Sequence, residues 1–527
     1  MSWKKYRELF ETRDVDESQF ILGVDIGNLT SAVAFYNAVS REPEIIDVSG
    51  GYGRASAPTS LSYIPDANEW VFGEYSALSA GSGDVAVSGL VEKLGNNEYC
   101  EIDAKPVSVT HLLAIYIKDL LSNCKNINPR AEIAGIVAAV PCYASEEATS
   151  ELLSALREAG YERSVVALVS DQECLLTRFY FNRPVITENI LIIDFGGREI
   201  RGGLYSVAPD GENAFVKRLS SVFDDKLSAR AINDAAEGFF TSFYEKAAGT
   251  PRDKLDKRTL DNLSAFSYQH RDLLFQKNKT KPVKVYYNFA YQPFQQQITD
   301  SEIETLMRPF YNRFSLFLSD LLKKTTPGEF TKRDISAVIC AGGGFEAFWA
   351  RDEVKKAFPY SDIVLYKNPK GVIAEGACVI AAERMNALRA AAGRLTPNVR
   401  NFTITDPHQL KTDIGVMASF NASERFMPII ERNSLWWQRR APKSFIVNEP
   451  VRGPVYVGLF TRNADFETSQ IGKLVLDGLP ERPAGTTRIK MAFEFTNLNK
   501  LRVTATDMGF GELFPAVDYK KTFEIML

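Results

Sequence analysis

Two stretches of this chain repeat one pattern. "FILGVDIG" (20–27) runs into "TSAVAFYN" (30–37), and "NILIIDFGG" (189–197) runs into "GGLYSV" (202–207). Each is an apolar run ending in an aspartate, then one apolar residue, then glycine, then a second apolar run. Short β-rich runs split by glycine read as paired strands with a tight turn. Two copies, headed by Asp25 and Asp194, predict a core of two similar lobes. A third strand, "ISAVICAGGG" (335–344), runs into glycines. "NPKGVIAEGACVIAAERM" (368–385) reads as a turn followed by a helix that brings Gly376 and Ala377 against a close neighbour.

Between these runs lie helical patterns, so the architecture is α/β. "SVTHLLAIYIKDLLSN" (108–123) has helical spacing. "IAGIVAAVP" (133–141) is a buried strand stopped by Pro141. "SEEATSELLSALREAG" (145–160) is a helix, with Ser145 as cap, Glu146 and Glu147 at its positive end and Gly160 closing it. After about residue 395 the pattern changes. Residues 394–409 read as a linker, and 410–527 alternate with period two in "GPVYVGLFT", "GKLVLDGLP", "TRIKMAFEFT" and "KLRVTATD", the mark of a compact β-sandwich. Residues 1–19 are a charged extension with one helical face, and 20–393 form the two-lobed domain.

The bulk numbers exclude some functions. At 45% hydrophobic, 24% charged and net charge −4, the chain is an ordinary globular one. No basic stripe points to nucleic acid. The clusters "RDKLDKR" (252–258) and "KNKTKPVK" (277–284) read as solvated faces. Six cysteines are scattered without a CxxC pair, and three histidines lie far apart, which argues for a reducing compartment and against a zinc site. The N-terminus is too charged for a signal peptide, and no run of about 18 apolar residues occurs. A cytoplasmic protein without a membrane partner is expected.

A glycine turn lets backbone N–H groups approach phosphate oxygens, and an aspartate at the strand end can hold hydrated Mg²⁺. One such turn is weak evidence. Two in repeated lobes, with a third glycine run, describe nucleotide held between lobes. In this order the motifs resemble the seventy-kilodalton heat-shock chaperone family, within the actin and sugar-kinase superfamily. "GVDIGNLTSAVAFY" and "LIIDFGG" are similar to its two phosphate motifs. "AVICAGGGFEAF" resembles its adenosine motif, "NPKGVIAEGACV" the helix after it, and "IGKLVLDGLPERPAG" and "IKMAFEFTNLNKLRVTATD" its peptide-binding sandwich.

The resemblance implies a two-lobed, actin-like ATPase domain with a duplicated ribonuclease-H-like core, followed by an all-β sandwich. It implies ATP or ADP with Mg²⁺ between the lobes. Asp25 and Asp194 would be metal ligands and catalytic, with Asp171 and Lys93 as further catalytic candidates. Gly27, Asn28, Leu29, Gly196, Gly197, Arg271, Gly342, Gly343 and Gly344 would line the nucleotide site. Unfolded or extended polypeptide and co-chaperones are the implied partners of a monomer. Because the chain stops at Leu527, the family's helical lid is expected to be missing.

The departures are pointed. The family's threonine pair is here Asn28 and Leu29. Its third glycine and following threonine become Arg198 and Glu199, and its later aspartate becomes Arg201. The catalytic lysine's counterpart falls in "LVEKLG", where strict alignment gives Val91 and Lys93 lies two residues late. Glu173 competes with Asp171. Either the turn cradles phosphate by backbone alone, or Arg198 or Arg201 supplies a cation. The linker keeps only Val399, Phe402 and Ile404 as apolar anchors. "SLWWQRR" (434–440) offers Trp436 and Trp437 as peptide-binding aromatics or as packed strand residues. The alternative function is a pseudo-ATPase interaction module that binds nucleotide weakly or not at all; an actin-like filament or a sugar kinase fits the sequence less well.

Overall fold

The computed structural model describes residues 19–527 apart from 38, 80–84, 131, 212, 276–281, 324–330, 390–401, 406–409, 411, 421–422, 433, 435–439, 464–465 and 498–499. The expected N-terminal helix, Val399, Trp436 and Trp437 lie outside the described residues. The chain divides into two compact units, one of Met1–Pro141 and Ser150–Thr405, the other of Cys142–Thr149 and Asp406–Leu527.

The first unit holds two sheets of the same plan. In the first, β1 (Gln19–Ile26) and β2 (Thr30–Asn37) form the expected antiparallel hairpin, extended by β3 (Glu42–Ile45). On its other side β1 pairs parallel with β4 (Glu132–Val140), and β4 with β5 (Val165–Ser170). The second sheet repeats this. β6 (Glu188–Phe195) and β7 (Ile200–Asp210) form a hairpin continued by β8 (Asn213–Asp224). β6 pairs parallel with β9 (Ala337–Ala341), and β9 with β10 (Asp362–Leu365). The parallel strands are buried continuous apolar runs, as helix-covered sheets require.

Residues of both sheets share one core with α1 (Asp171–Tyr180) and α2 (Val372–Arg389). The helix-borne glycine meets its close neighbour here. A Cβ on Gly376 would lie 1.9 Å from the Cys174 carbonyl of α1, and one on Gly23 would lie 2.1 Å from the Ala374 carbonyl of α2. Caps appear where the sequence puts them: the Ser145 hydroxyl accepts the Ala148 N–H at 3.1 Å. The helix it opens regularly spans Glu146–Leu156 and then distorts, with Gly160 at φ 98°.

Within the stretch read as a linker, Phe402–Thr405 forms β11, which pairs parallel with β8 at the edge of the second sheet. Phe402 is buried and stacks on Tyr180 at 6.0 Å. The second unit has two four-stranded antiparallel sheets over one apolar core that includes Ile414, Leu459, Leu474, Phe493 and Val503. A buried bidentate pair, Arg482 on Asp507 at 2.8 Å, ties one of its loops down. No helix among the described residues is long and apolar enough to cross a membrane.

Candidate functional site

The site grows out of hairpin register. In the second hairpin Asp194 stands directly opposite Arg201. Opposed side chains on one face of a sheet are near neighbours, so the pair is built by the strand pairing itself. Arg201 Nη2 donates to Asp194 at 3.2 Å, and Nη1 to Asp171 at 3.0 Å from the start of α1. Its Nε lies 3.2 Å from Glu199, which is buried. One guanidinium thus sits among three carboxylates, two from the second sheet's hairpin and one from α1.

Asp25 joins this group from the first hairpin, where its opposite residue is Ala32. Burial, with repulsion from Asp194 and Asp171, pushes its carboxyl up to about 8, against the pull of Arg201. Burial also raises Asp194, to about 6, with Arg201 pulling it down and Asp171 pushing it up. At neutral pH Asp25 is therefore mostly protonated and Asp194 mostly ionised.

The two glycine turns meet each other. Gly27 N–H bonds to the Thr30 carbonyl at 3.2 Å and Gly196 N–H to the Glu199 carbonyl at 3.0 Å, closing both turns. Leu29 packs onto Gly197 so tightly that a Cβ there would lie 2.8–2.9 Å from Leu29 side-chain carbons. Asn28 turns toward Glu92, donating from Nδ2 at 3.2 Å and accepting the Glu92 N–H at 3.2 Å. Glu92 also accepts from Arg230 at 3.0 and 3.1 Å, while Arg198 lies 3.8 Å away.

The remaining candidates are placed as follows. Lys93 directs its ammonium to Cys100 Sγ at 3.6 Å, and its neighbour Glu92, rather than Lys93 or Val91, reaches the turns. Glu173 faces Arg384 at 4.0 Å, which leaves Asp171 as the acid on Arg201. Arg271 lies over the Tyr268 ring at 4.0 Å, and Tyr268 donates to the buried Glu74 at 2.8 Å. Gly342, at φ 88°, abuts the end of β6: a Cβ there would lie 2.4 Å from the Phe195 carbonyl and 2.6 Å from Asp194 Oδ1. Gly344 sits against the Phe195 ring and Gly343 against Lys370. Gly342 and Gly344 are explained by close packing on the hairpin.

The C-terminal model of a family of unknown function (DUF5716) matches residues 42–247, and a domain of unknown function (DUF8552) matches 409–527. The "Chaperone protein DnaK" of Thermosipho melanesiensis is 22% identical over 518 residues, 94% of this chain and 79% of that protein. A heat shock protein 70 homologue of Schizosaccharomyces pombe is 22% identical over 513 residues, 88% of this chain and 84% of that protein. The "Chaperone protein DnaK" of Thermosipho africanus is 21% identical, with 94% and 79% covered. Over most of its length the chain is thus similar to chaperones of the seventy-kilodalton heat-shock family.

Members of this family generally use ATP or ADP with Mg²⁺, and the residues present fit that group poorly. Mg²⁺ takes oxygen ligands and keeps several waters. Here Asp194, with Asp171 and Glu199, already surrounds a guanidinium, and a second cation beside Arg201 would be repelled. Among the described residues, no group of three or more His, Cys, Asp or Glu is disposed to hold a metal ion. Sequence reasoning weighed Arg201 as a cation toward phosphate and missed Glu92 and Arg230. The only signal for Glu92 was its place inside "LVEKLG"; its partner lies 138 residues away.

Proposed function

We propose that this chain is a chaperone-like protein whose ATPase-type cleft does not hydrolyse ATP, so that the two-lobed domain serves as a scaffold. The observation that carries this reading is Arg201 among Asp171, Asp194 and Glu199, with Leu29 against Gly197. A tethered guanidinium takes the charge role that a hydrated cation would need, and the leucine narrows the gap between the turns. In this reading the C-terminal unit holds extended polypeptide, through backbone hydrogen bonds and apolar pockets. That half rests on the family relation and on the two-sheet form of the unit.

The other reading, an ATP-binding chaperone with slow turnover, keeps Asp25 and Asp194 on a metal and requires Arg201 to leave its three carboxylates. Calorimetric titration of the full chain with ATP and ADP, each with and without Mg²⁺, separates the two. The scaffold reading expects no magnesium-dependent binding and no phosphate release. Tight magnesium-dependent binding with turnover would overturn it.

A further inference from the structure

Glu92 is the acid that the chemistry above does not use. It lies on the short 3-10 turn Val91–Lys93. Its carboxylate is met from three directions. Arg230 spans both oxygens at 3.0 and 3.1 Å, Asn28 donates at 3.2 Å, and Arg198 approaches to 3.8 Å. These donors come from separate parts of the fold. Asn28 is on the first glycine turn, Arg198 on the second, and Arg230 in the first turn of the helix Ala229–Ala248, whose N–H groups at Ala229 and Arg230 bond the carbonyls of Gly196 and Gly197. Two guanidinium groups and an amide around one oxyanion form a donor set suited to a phosphate group as well as to a carboxylate.

We propose that Glu92 is a built-in anion: its carboxylate fills an anion site made by Asn28, Arg198 and Arg230 and clasps the two lobes, and with Glu92 removed that site takes a phosphate-type anion. The proposal rests on the scaffold reading and extends it from the cation, Arg201, to the anion. A tethered group competes at an effective concentration on the order of millimolar, so free phosphate at lower concentration does not displace it. The backbone at Gly89 runs close beside the pair: a Cβ there would lie 2.8 Å from Glu92 Oε1 and 3.1 Å from Arg230 Nη2.

The test is thermal unfolding of the full chain in sodium phosphate or pyrophosphate, against sodium chloride of equal ionic strength. Three proteins are compared: wild type, Glu92→Ala, and Glu92→Ala combined with Arg230→Ala. A ligand that binds only the folded state raises the midpoint. The expected result is that phosphate raises the midpoint of Glu92→Ala by a few degrees, leaves wild type unmoved, and has no effect on the double variant. Should Glu92→Ala fail to fold, Glu92→Ser is read in the same way, since it loses the charge and leaves the site between Asn28, Arg198 and Arg230 open. An equal phosphate response in wild type, or none in the folded Glu92 variant, would overturn the proposal. Failure of the scaffold reading shows separately, as magnesium-dependent ATP binding by wild type.

Discussion

The two glycine hairpins share strand order, turn closure and an aspartate near the strand end, and differ in the residue opposite that aspartate. Across from Asp25 stands Ala32; across from Asp194 stands Arg201. The consequence is electrostatic. Asp194, with a guanidinium 3.2 Å away, is held near 6, while Asp25, without a cross-strand cation, is pushed to about 8. A repeated backbone plan thus carries two different charge states. The second hairpin brings its own counterion, and the first holds its aspartate as a neutral acid.

Removing that counterion should break the contrast most severely. Arg201→Ala leaves Asp171, Asp194 and Glu199 facing one another, and breaking a buried ion pair by deleting one partner costs about 3–5 kcal/mol. Denaturant unfolding at neutral pH should show a loss of that order, shrinking as pH falls and the carboxylates protonate. A loss that is small and independent of pH would show that Arg201 does not neutralise the group.

Asp25→Asn sharpens the other side. The folded carboxyl titrates near 8 and an unfolded one near 3.8, so the native state binds an extra proton between those values. Wild-type stability should therefore fall as pH rises from about 4 to about 8, and level off above that. The asparagine variant lacks this slope. Its advantage over wild type should grow steadily across the window, by up to about 1.4 kcal/mol for each pH unit, the worth of a tenfold change in proton affinity. Parallel stability–pH curves for the two proteins would sink this assignment.

A third effect, of about 1–3 kcal/mol, concerns the contact between the turns. Gly197→Ala would drive a methyl into Leu29, and Leu29→Ala in the same chain should recover most of the loss. Gly27→Ala in the first hairpin meets the Thr30 backbone carbonyl at 2.4 Å, so no side-chain truncation should rescue it. Equal rescue at both glycines would remove the distinction. The smallest effect belongs to Lys93→Ala. Its contact is the Cys100 thiol, and thermal unfolding should change by under about 0.5 kcal/mol.

Much of the frame was legible in the sequence. Both hairpins, the strand that runs into Gly342 and the glycine-bearing helix on Asp171–Tyr180 appear where apolar runs and glycines put them. The site was legible only in outline. Asp25, Asp171 and Asp194 were named, yet Glu92 was passed over for Lys93, because alignment to a lysine motif drew attention to the neighbouring position. Arg271, expected to line the nucleotide site, lies over the Tyr268 ring. Phe402 and Ile404 were counted as weak linker anchors, although a short parallel pairing with β8 holds that segment through its backbone.

By itself the sequence determined the repeated strand–turn–strand units, the caps and the turns that only glycine fits. Those features depend on residues a few places apart, and their periodicity is written along the chain. Even Arg201 opposite Asp194 follows from hairpin register. Tertiary structure alone decided that Asp171 would share that guanidinium and that Glu92 would face Arg230. Such partners are distant in sequence, and Coulomb attraction depends on separation in space and on burial, which only the packed fold supplies.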